Sequence, residues 1–230
     1  MIHLPAVVAI DGPAGAGKST ISRRVAARLG FTYIDTGAMY RCVGLYALRQ
    51  GLDLADAVQL EIAARSVRIS FGAGQQVLLN GEDVSEAIRN PQTSDAASRV
   101  SSIPGVREAM VAEQRRIAAG TSVVMEGRDI GTVVFPDARV KIFLDADPMV
   151  RARRRSEELS AKGIAADIDE IARQIADRDH RDATREDSPM IKAEDAIWVD
   201  TSGLTLEQVE TAILGIAQGQ LIEKGKEAGR

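Results

Sequence analysis

The residues best suited to chemistry stand near the amino end: Gly12-Pro13-Ala14-Gly15-Ala16-Gly17-Lys18-Ser19, followed by Thr20. Their spacing is G-x-x-x-x-G-K-[ST]. Glycines in such a loop let backbone N–H groups turn inward around the β- and γ-phosphates of a nucleotide. The helix start that follows adds partial positive charge. Lys18 then offsets charge on the transferred group, and the Ser19 hydroxyl can ligate Mg²⁺. Lys18 is expected in an exposed part of this phosphate-binding loop (P-loop). A GTPase would add an N-K-x-D segment and an ABC-type ATPase an S-G-G-Q segment, and the chain has neither.

What it has instead is arginine. Arg151, Arg153, Arg154 and Arg155 crowd one segment, and Arg178, Arg181 and Arg185 the next. One reading is a solvated face paired with Glu157, Glu158 and Asp177. The other is a lid around Gly163 that offsets the charge of two anionic nucleotides and excludes water. The P-loop favours the second. These arginines repel one another until anionic oxygens sit among them, so closure is expected to require both substrates. Glu126-Gly127-Arg128-Asp129 directly follows an expected strand. An acid at that edge of a parallel sheet can hold Mg²⁺ through water. The alternative is a plain strand-to-loop turn with an internal Arg–Asp pair.

The elements that must position these groups alternate. Apolar runs at residues 6–10, 31–34, 122–125, 140–144 and 196–199 suit strands buried in a parallel sheet. Helices are expected over 18–29, 38–50, 56–65, 103–119, 148–162, 167–183 and 205–218, with a frayed polar tail over 224–230. Residues 67–71 and 77–79 break the order. The first alternates apolar and polar side chains, Gly72-Ala73-Gly74 makes a turn, and Val77-Leu78-Leu79 continues to Asn80-Gly81, as an antiparallel hairpin in an inserted subdomain would. Strands separated by helices indicate a three-layer α/β fold.

Composition sets the bounds. A chain of 230 residues, 45% hydrophobic and 27% charged, forms one core, or one core carrying inserts. No apolar run approaches the roughly 20 residues that span a bilayer. Residues 6–10 follow Met1 too closely for a leader, and a cytoplasmic place is expected. Net charge is −4, from 29 basic and 33 acidic residues, and aromatics are 3%. Both argue against nucleic-acid binding. Cys42, the sole cysteine, is expected as a half-buried structural thiol. His3 and His180 are too few and too far apart for a zinc site. No long exposed apolar helix stripe is evident, so a monomer is expected.

With these segments in place, the chain resembles the bacterial-type cytidylate (CMP) kinases of the nucleoside monophosphate kinase superfamily. The segments that carry the resemblance include I-D-G-P-A-G-A-G-K-S-T at 10–20, D-T-G-A-M-Y-R at 35–41, G-E-D-V-S at 81–85 and V-R-E-A at 106–109. E-G-R-D-I-G-T-V-V-F-P-D-A at 126–138, K-I-F-L-D-A at 141–146 and R-D-H-R-D-A-T-R at 178–185 complete them. Ala14 and Ser19 stand where some members have serine and glycine, and Glu126 replaces an aspartate.

The resemblance implies a P-loop NTPase fold with a five-stranded parallel core and a short lid near residues 148–166. It also implies an NMP-binding insert near 38–100, enlarged by a small antiparallel sheet. The implied reaction is ATP- and Mg²⁺-dependent phosphorylation of CMP, and of dCMP. By resemblance Arg41, Arg128 and Arg185 clamp the CMP phosphate, while Ser98, Arg107 and Asp129 read the cytosine. Tyr40, Arg178 and Asp182 hold the ribose end, and Thr36 lies beside the nucleotide. Arg151, Arg154 and Arg155 match lid arginines that close on the ATP phosphates. Adenylate, thymidylate or shikimate kinases are the nearest rivals. A nucleotide sensor without transfer needs only the P-loop and leaves the arginine clusters without a task.

Overall fold

Apolar runs bounded by Gly, Pro and Asp avoid water on both faces and pair as a buried parallel sheet. The computed structural model describes residues 5–72, 76–161, 163–165 and 167–227. His3, the Ala73-Gly74 part of the expected turn, Lys162 and Ala166 of the expected lid and residues 228–230 of the tail lie outside them. The described chain forms two compact units, Met1–Tyr33 with Gly120–Arg230, and Ile34–Ala119.

The parallel sheet holds β1 (Val7–Asp11), β2 (Thr32–Asp35), β6 (Val123–Gly127), β7 (Val140–Asp145) and β8 (Ile197–Asp200), in the order β2-β6-β1-β7-β8, all in the first unit but for the last two residues of β2. Its central strands run parallel, with Asp11 level with Gly127 and with Phe143. Their carboxyl ends therefore finish together, on the edge where open α/β sheets bind ligands. Helix α1 (Lys18–Leu29) stops at Gly30, whose φ of 68° makes the left-handed cap that glycine adopts without strain. Ile21 and Val25 of α1 and Val209, Ile213 and Ala217 of α8 (Leu206–Glu227) pack with Val8, Ile10, Val124, Ile142 and Leu144. The four-residue spacing puts each set on one helix face. Helices α6 (Pro148–Ser160) and α7 (Ile168–Thr184) share a smaller cluster of Ala152, Ile171 and Ile175, with Ala14 of the P-loop packed against it.

The second unit holds α2 (Thr36–Arg49), α3 (Ala57–Ser66), α4 (Pro91–Val100) and α5 (Pro104–Ala118), with an antiparallel sheet β3 (Ile69–Phe71), β4 (Val77–Leu79) and β5 (Glu82–Asp83). Asp35 caps α2 by accepting the Ala38 N–H at 2.9 Å. Helix α2 packs on α4 at Gly44, where a Cβ would come 2.9 Å from the Ala97 nitrogen.

The five parallel strands and the antiparallel pair stand where the sequence places them, within a residue or two at the ends. Five features differ. The small sheet has a third strand, β5, too short for alternation to reveal. Helix α4 was not anticipated. Strand β6 extends to Gly127, so Glu126 lies inside the strand rather than after it. Helix α8 continues to Glu227, through residues expected to fray. Cys42 is wholly rather than half buried, and burial pushes its thiol up to about 12. Among the described residues, no helix is long and apolar enough to cross a membrane.

Candidate active site

The P-loop runs from the end of β1 into α1, and its glycines answer to specific constraints. Gly12 has φ +144°, and a Cβ there would lie 1.9 Å from the Leu144 carbonyl oxygen of β7. Gly17 caps α1 at φ +87°. A side chain on Gly15, at φ +77°, would meet the Cβ of Arg151 at 3.0 Å. Lys18 opens α1 and is 6% exposed, so it is not the exposed loop residue the sequence suggests. Its Nζ donates to the Pro13 carbonyl at 2.6 Å, which curls the lysine back over its own loop. Burial draws the Lys18 ammonium down to about 7, and the Arg128 charge pushes the same way against Glu126.

Glu126, near the end of β6, is buried beside this lysine. Ser19 donates its hydroxyl to Glu126 Oε2 at 3.0 Å, and the Tyr33 hydroxyl donates to Oε1. A hydroxyl and a carboxylate side by side are the hard oxygen donors that Mg²⁺ accepts, so these residues fit the ion. Among the described residues, no three His, Cys, Asp or Glu side chains group as a metal site. An ion here would draw its other ligands from phosphates and water. Asp11, at the end of β1, accepts the Ile130 and Gly131 N–H groups at 2.8 Å each. Burial raises its carboxyl to about 6 even against those two bonds.

A second knot of charge lies at the carboxyl end of α7. Asp182 is buried and takes Arg128 Nε at 2.8 Å, Arg185 Nη1 at 3.8 Å and Arg178 Nε at 4.0 Å. Arg185 also approaches Asp129 Oδ1 at 3.7 Å. Burial acts to raise Asp182, yet the three guanidinium groups hold it below the ordinary carboxylate value. Arg128, Asp129, Arg178, Asp182 and Arg185, chosen from two separate stretches of sequence, thus converge.

The α6 arginines do not behave alike. Arg151 is buried, donating Nε to the Ala146 carbonyl at 3.0 Å and Nη1 to the Ala14 carbonyl at 2.9 Å, and pairing with Asp179. Arg154 donates to Thr201 Oγ1 at 2.9 Å and to the Thr201 carbonyl at 2.7 Å. Arg155 is exposed and pairs with Glu158 at 3.0 Å. The expected mutual repulsion is therefore not what governs this helix. Its first turns are tied to groups of the same chain.

In the second unit, Thr36 is buried at the start of α2, and Arg41 one turn on pairs with Asp35 at 2.8 Å. Arg107 of α5 is 3% exposed, lies over the Tyr40 ring at 5.6 Å and donates to the Ser101 carbonyl at 3.2 Å. Ser98 sits half-buried on α4. Thr36, Tyr40, Arg41, Ser98 and Arg107 all belong to this unit, and the remaining expected site residues all belong to the first. Sequence reasoning passed over Asp11, Tyr33, Asp35, Asp179 and Thr201. Asp11, Asp35 and Asp179 lie inside the segments that carry the resemblance and were open to notice. Nothing local marks the partners of Tyr33 and Thr201.

A family model described as cytidylate kinase matches residues 8–219. A cytidylate kinase from Solibacter usitatus is 55% identical over 217 residues, covering 94% of this chain and 93% of its own. One from Caldanaerobacter subterraneus subsp. tengcongensis is 53% identical over 209 residues, covering 91% and 93%. An uncharacterized protein from Eubacterium ventriosum superposes with a TM-score of 0.50 at 12% identity, covering 91% of this chain and 96% of its own, a likeness of fold alone.

Proposed function

The chain belongs to the cytidylate kinase family, and from that premise we propose that it transfers the γ-phosphate of ATP to CMP, giving CDP and ADP. The observation that carries the reading is the P-loop with Lys18 folded into it beside the Ser19–Glu126 pair. The acceptor is already an anionic phosphate oxygen, so no strong general base is required. Positioning and charge stabilisation supply most of the rate.

Residues 12–20 with Arg154 take the ATP phosphates, and Lys18, Arg128, Arg151, Arg155 and Arg185 offset charge on the transferring group. Thr36, Tyr40, Arg41, Ser98, Arg107, Arg128, Asp129, Arg178, Asp182 and Arg185 are assigned to CMP. Ser19, with Glu126 through water, would hold Mg²⁺, which when bound spreads the charge of the β- and γ-phosphates. Residues 38–100 form the NMP-binding insert and 148–166 the lid. The lid proposal places motion beyond the tied first turns of α6, toward the exposed Arg155. dCMP is accepted as well. We read the enzyme as a cytoplasmic monomer with no nucleic-acid or membrane partner, in keeping with its net charge of −4.

The test is a substrate panel with ATP and Mg²⁺ against CMP, dCMP, UMP, AMP and shikimate. CDP and dCDP should dominate. Absence of CDP, or equal turnover of AMP or shikimate, would overturn the assignment.

A further inference from the structure

Asp179 lies on α7, three residues from the Asp182 knot, yet its contacts are with the P-loop. Its Oδ1 accepts the Ala14 N–H at 3.0 Å, and its Oδ2 pairs with Arg151 Nη1. The same Nη1 donates to the Ala14 carbonyl at 2.9 Å. One carboxylate and one guanidinium thus hold both backbone polar groups of a single P-loop residue. The pair is well shielded, with side-chain exposures of 8% for Arg151 and 14% for Asp179. Arg151 is fixed on a second side by its Nε bond to the Ala146 carbonyl and by the close approach of Gly15 to its backbone. Its Nη2 has no bond to any described residue. The guanidinium is therefore held at Nε and at Nη1, which leaves Nη2 as its uncommitted donor.

We infer that Asp179 is a positioning residue for the phosphoryl-donor side of the site: it holds Arg151 against Ala14 so that Nη2 of the guanidinium is set for a nucleoside triphosphate. The inference rests on the proposed ATP reading of the P-loop and adds a residue that touches neither nucleotide. Fixing a flexible arginine before the ligand arrives removes an ordering cost from binding and from the transition state. A guanidinium held by a charged partner also keeps a better-defined fork than one held by carbonyls alone. A merely structural ion pair would instead affect both substrates equally, and only through stability.

The experiment compares the parent enzyme with Asp179→Asn and Arg151→Met, alone and combined, by steady-state kinetics with ATP and CMP varied separately. Asp179→Asn keeps an acceptor for the Ala14 N–H and nearly the same shape, so the loop remains satisfied. Its kcat/KM for ATP should fall about tenfold, the scale of one charge-assisted bond, while KM for CMP stays within about twofold. In the Arg151→Met background the same change should cost under about twofold, because the group it positions is gone. Calorimetric titration with ATP alone should show the same weakening in Asp179→Asn, and Asp179→Glu should restore part of it. Parent CDP formation checks the underlying reading independently. If the parent makes CDP but Asp179→Asn leaves kcat/KM for ATP within twofold, the inference falls. It also falls if the losses for ATP and CMP are equal, or if the two substitutions act additively.

Discussion

The two units carry the same kinds of charged side chain but hold them in different ways. In the first, cations meet shielded carboxylates: Arg151 with Asp179, and Arg128, Arg178 and Arg185 around Asp182. In the second, Arg41 pairs with a helix-capping Asp35 at about a quarter exposure, and Arg107 rests on the Tyr40 ring and a backbone carbonyl. Shielded pairs are rigid but depend on both members, since removing one strands the other. Capped and stacked cations lose little support when one neighbour changes. Preorganised charge is therefore concentrated in the first unit, at the P-loop through Arg151 and at the Asp182 knot proposed for CMP, and the second unit relies on replaceable contacts.

The largest effect should come from the first unit. Lys18→Ala should lower turnover at least about 10²-fold, in line with loss of a preorganised charge. The fold should survive, because among the described residues the lysine side chain bonds only to the Pro13 carbonyl of its own loop. Near-normal turnover in a folded variant would remove the contrast at its root.

Specificity sharpens it next. Asp129 of the first unit is proposed to accept from the cytosine amino group, where uracil presents a carbonyl. Leaving such a group unpaired costs roughly 1–3 kcal/mol, about 5- to 160-fold. The parent should prefer CMP over UMP by that margin, and Asp129→Asn should narrow the ratio of kcat/KM values. An unchanged ratio would move cytosine reading to Ser98 and Arg107 in the second unit.

A direct comparison of stability follows. Arg128→Met should destabilise by about 1–3 kcal/mol, since Asp182 loses its one hydrogen-bonded cation while Arg178 and Arg185 remain at 4.0 and 3.8 Å. Arg41→Met should cost under about 1 kcal/mol, because Asp35 keeps its cap on α2. Urea midpoints for the two variants measure the difference. Equal losses would erase the distinction.

The most distributed effect is on pH. Asp11 has a folded-state value raised to about 6 from an ordinary 3.8, so the folded chain binds the extra proton between them. Its contribution is fully present below about 4 and is lost as pH rises through about 6. Lys18 is lowered to about 7 from 10.5, so the folded chain binds fewer protons between those values. Its contribution is present above 10.5 and is lost as pH falls through about 7. Asp11→Asn should flatten the acid-side change in urea midpoint, and Lys18→Met the alkaline-side rise. Unaltered profiles in both would show that neither group titrates as its burial implies.

The parallel core was legible because five apolar runs have no other way to be buried, and the P-loop because its glycines and lysine serve one task. Helix α4 was not, since Pro91-Gln92-Thr93-Ser94-Asp95 carries no apolar period, although Asn90 before Pro91 is a proper start signal. Glu126 looked like a loop residue because a charge rarely ends a buried strand; Ser19 and Tyr33 supply the partners that permit it. Membership of the Asp182 knot was accessible through resemblance. The Asp179–Ala14 bond joins positions 165 residues apart, and no spacing rule reaches that far.

Gly12 carries a consequence for the history of the chain. With φ +144° and the Leu144 carbonyl 1.9 Å from any added Cβ, position 12 admits no side chain unless β7 first shifts. Gly17, by contrast, has room around its Cβ position, with Arg154 Nη1 nearest at 4.0 Å, and is held mainly by its φ of +87°. In a saturation library the codon for Gly12 should therefore tolerate no missense change in any single-substitution background. Drift at that codon would have to wait for a prior change in the path of another strand, which makes this glycine an anchor of lineage as much as of phosphate.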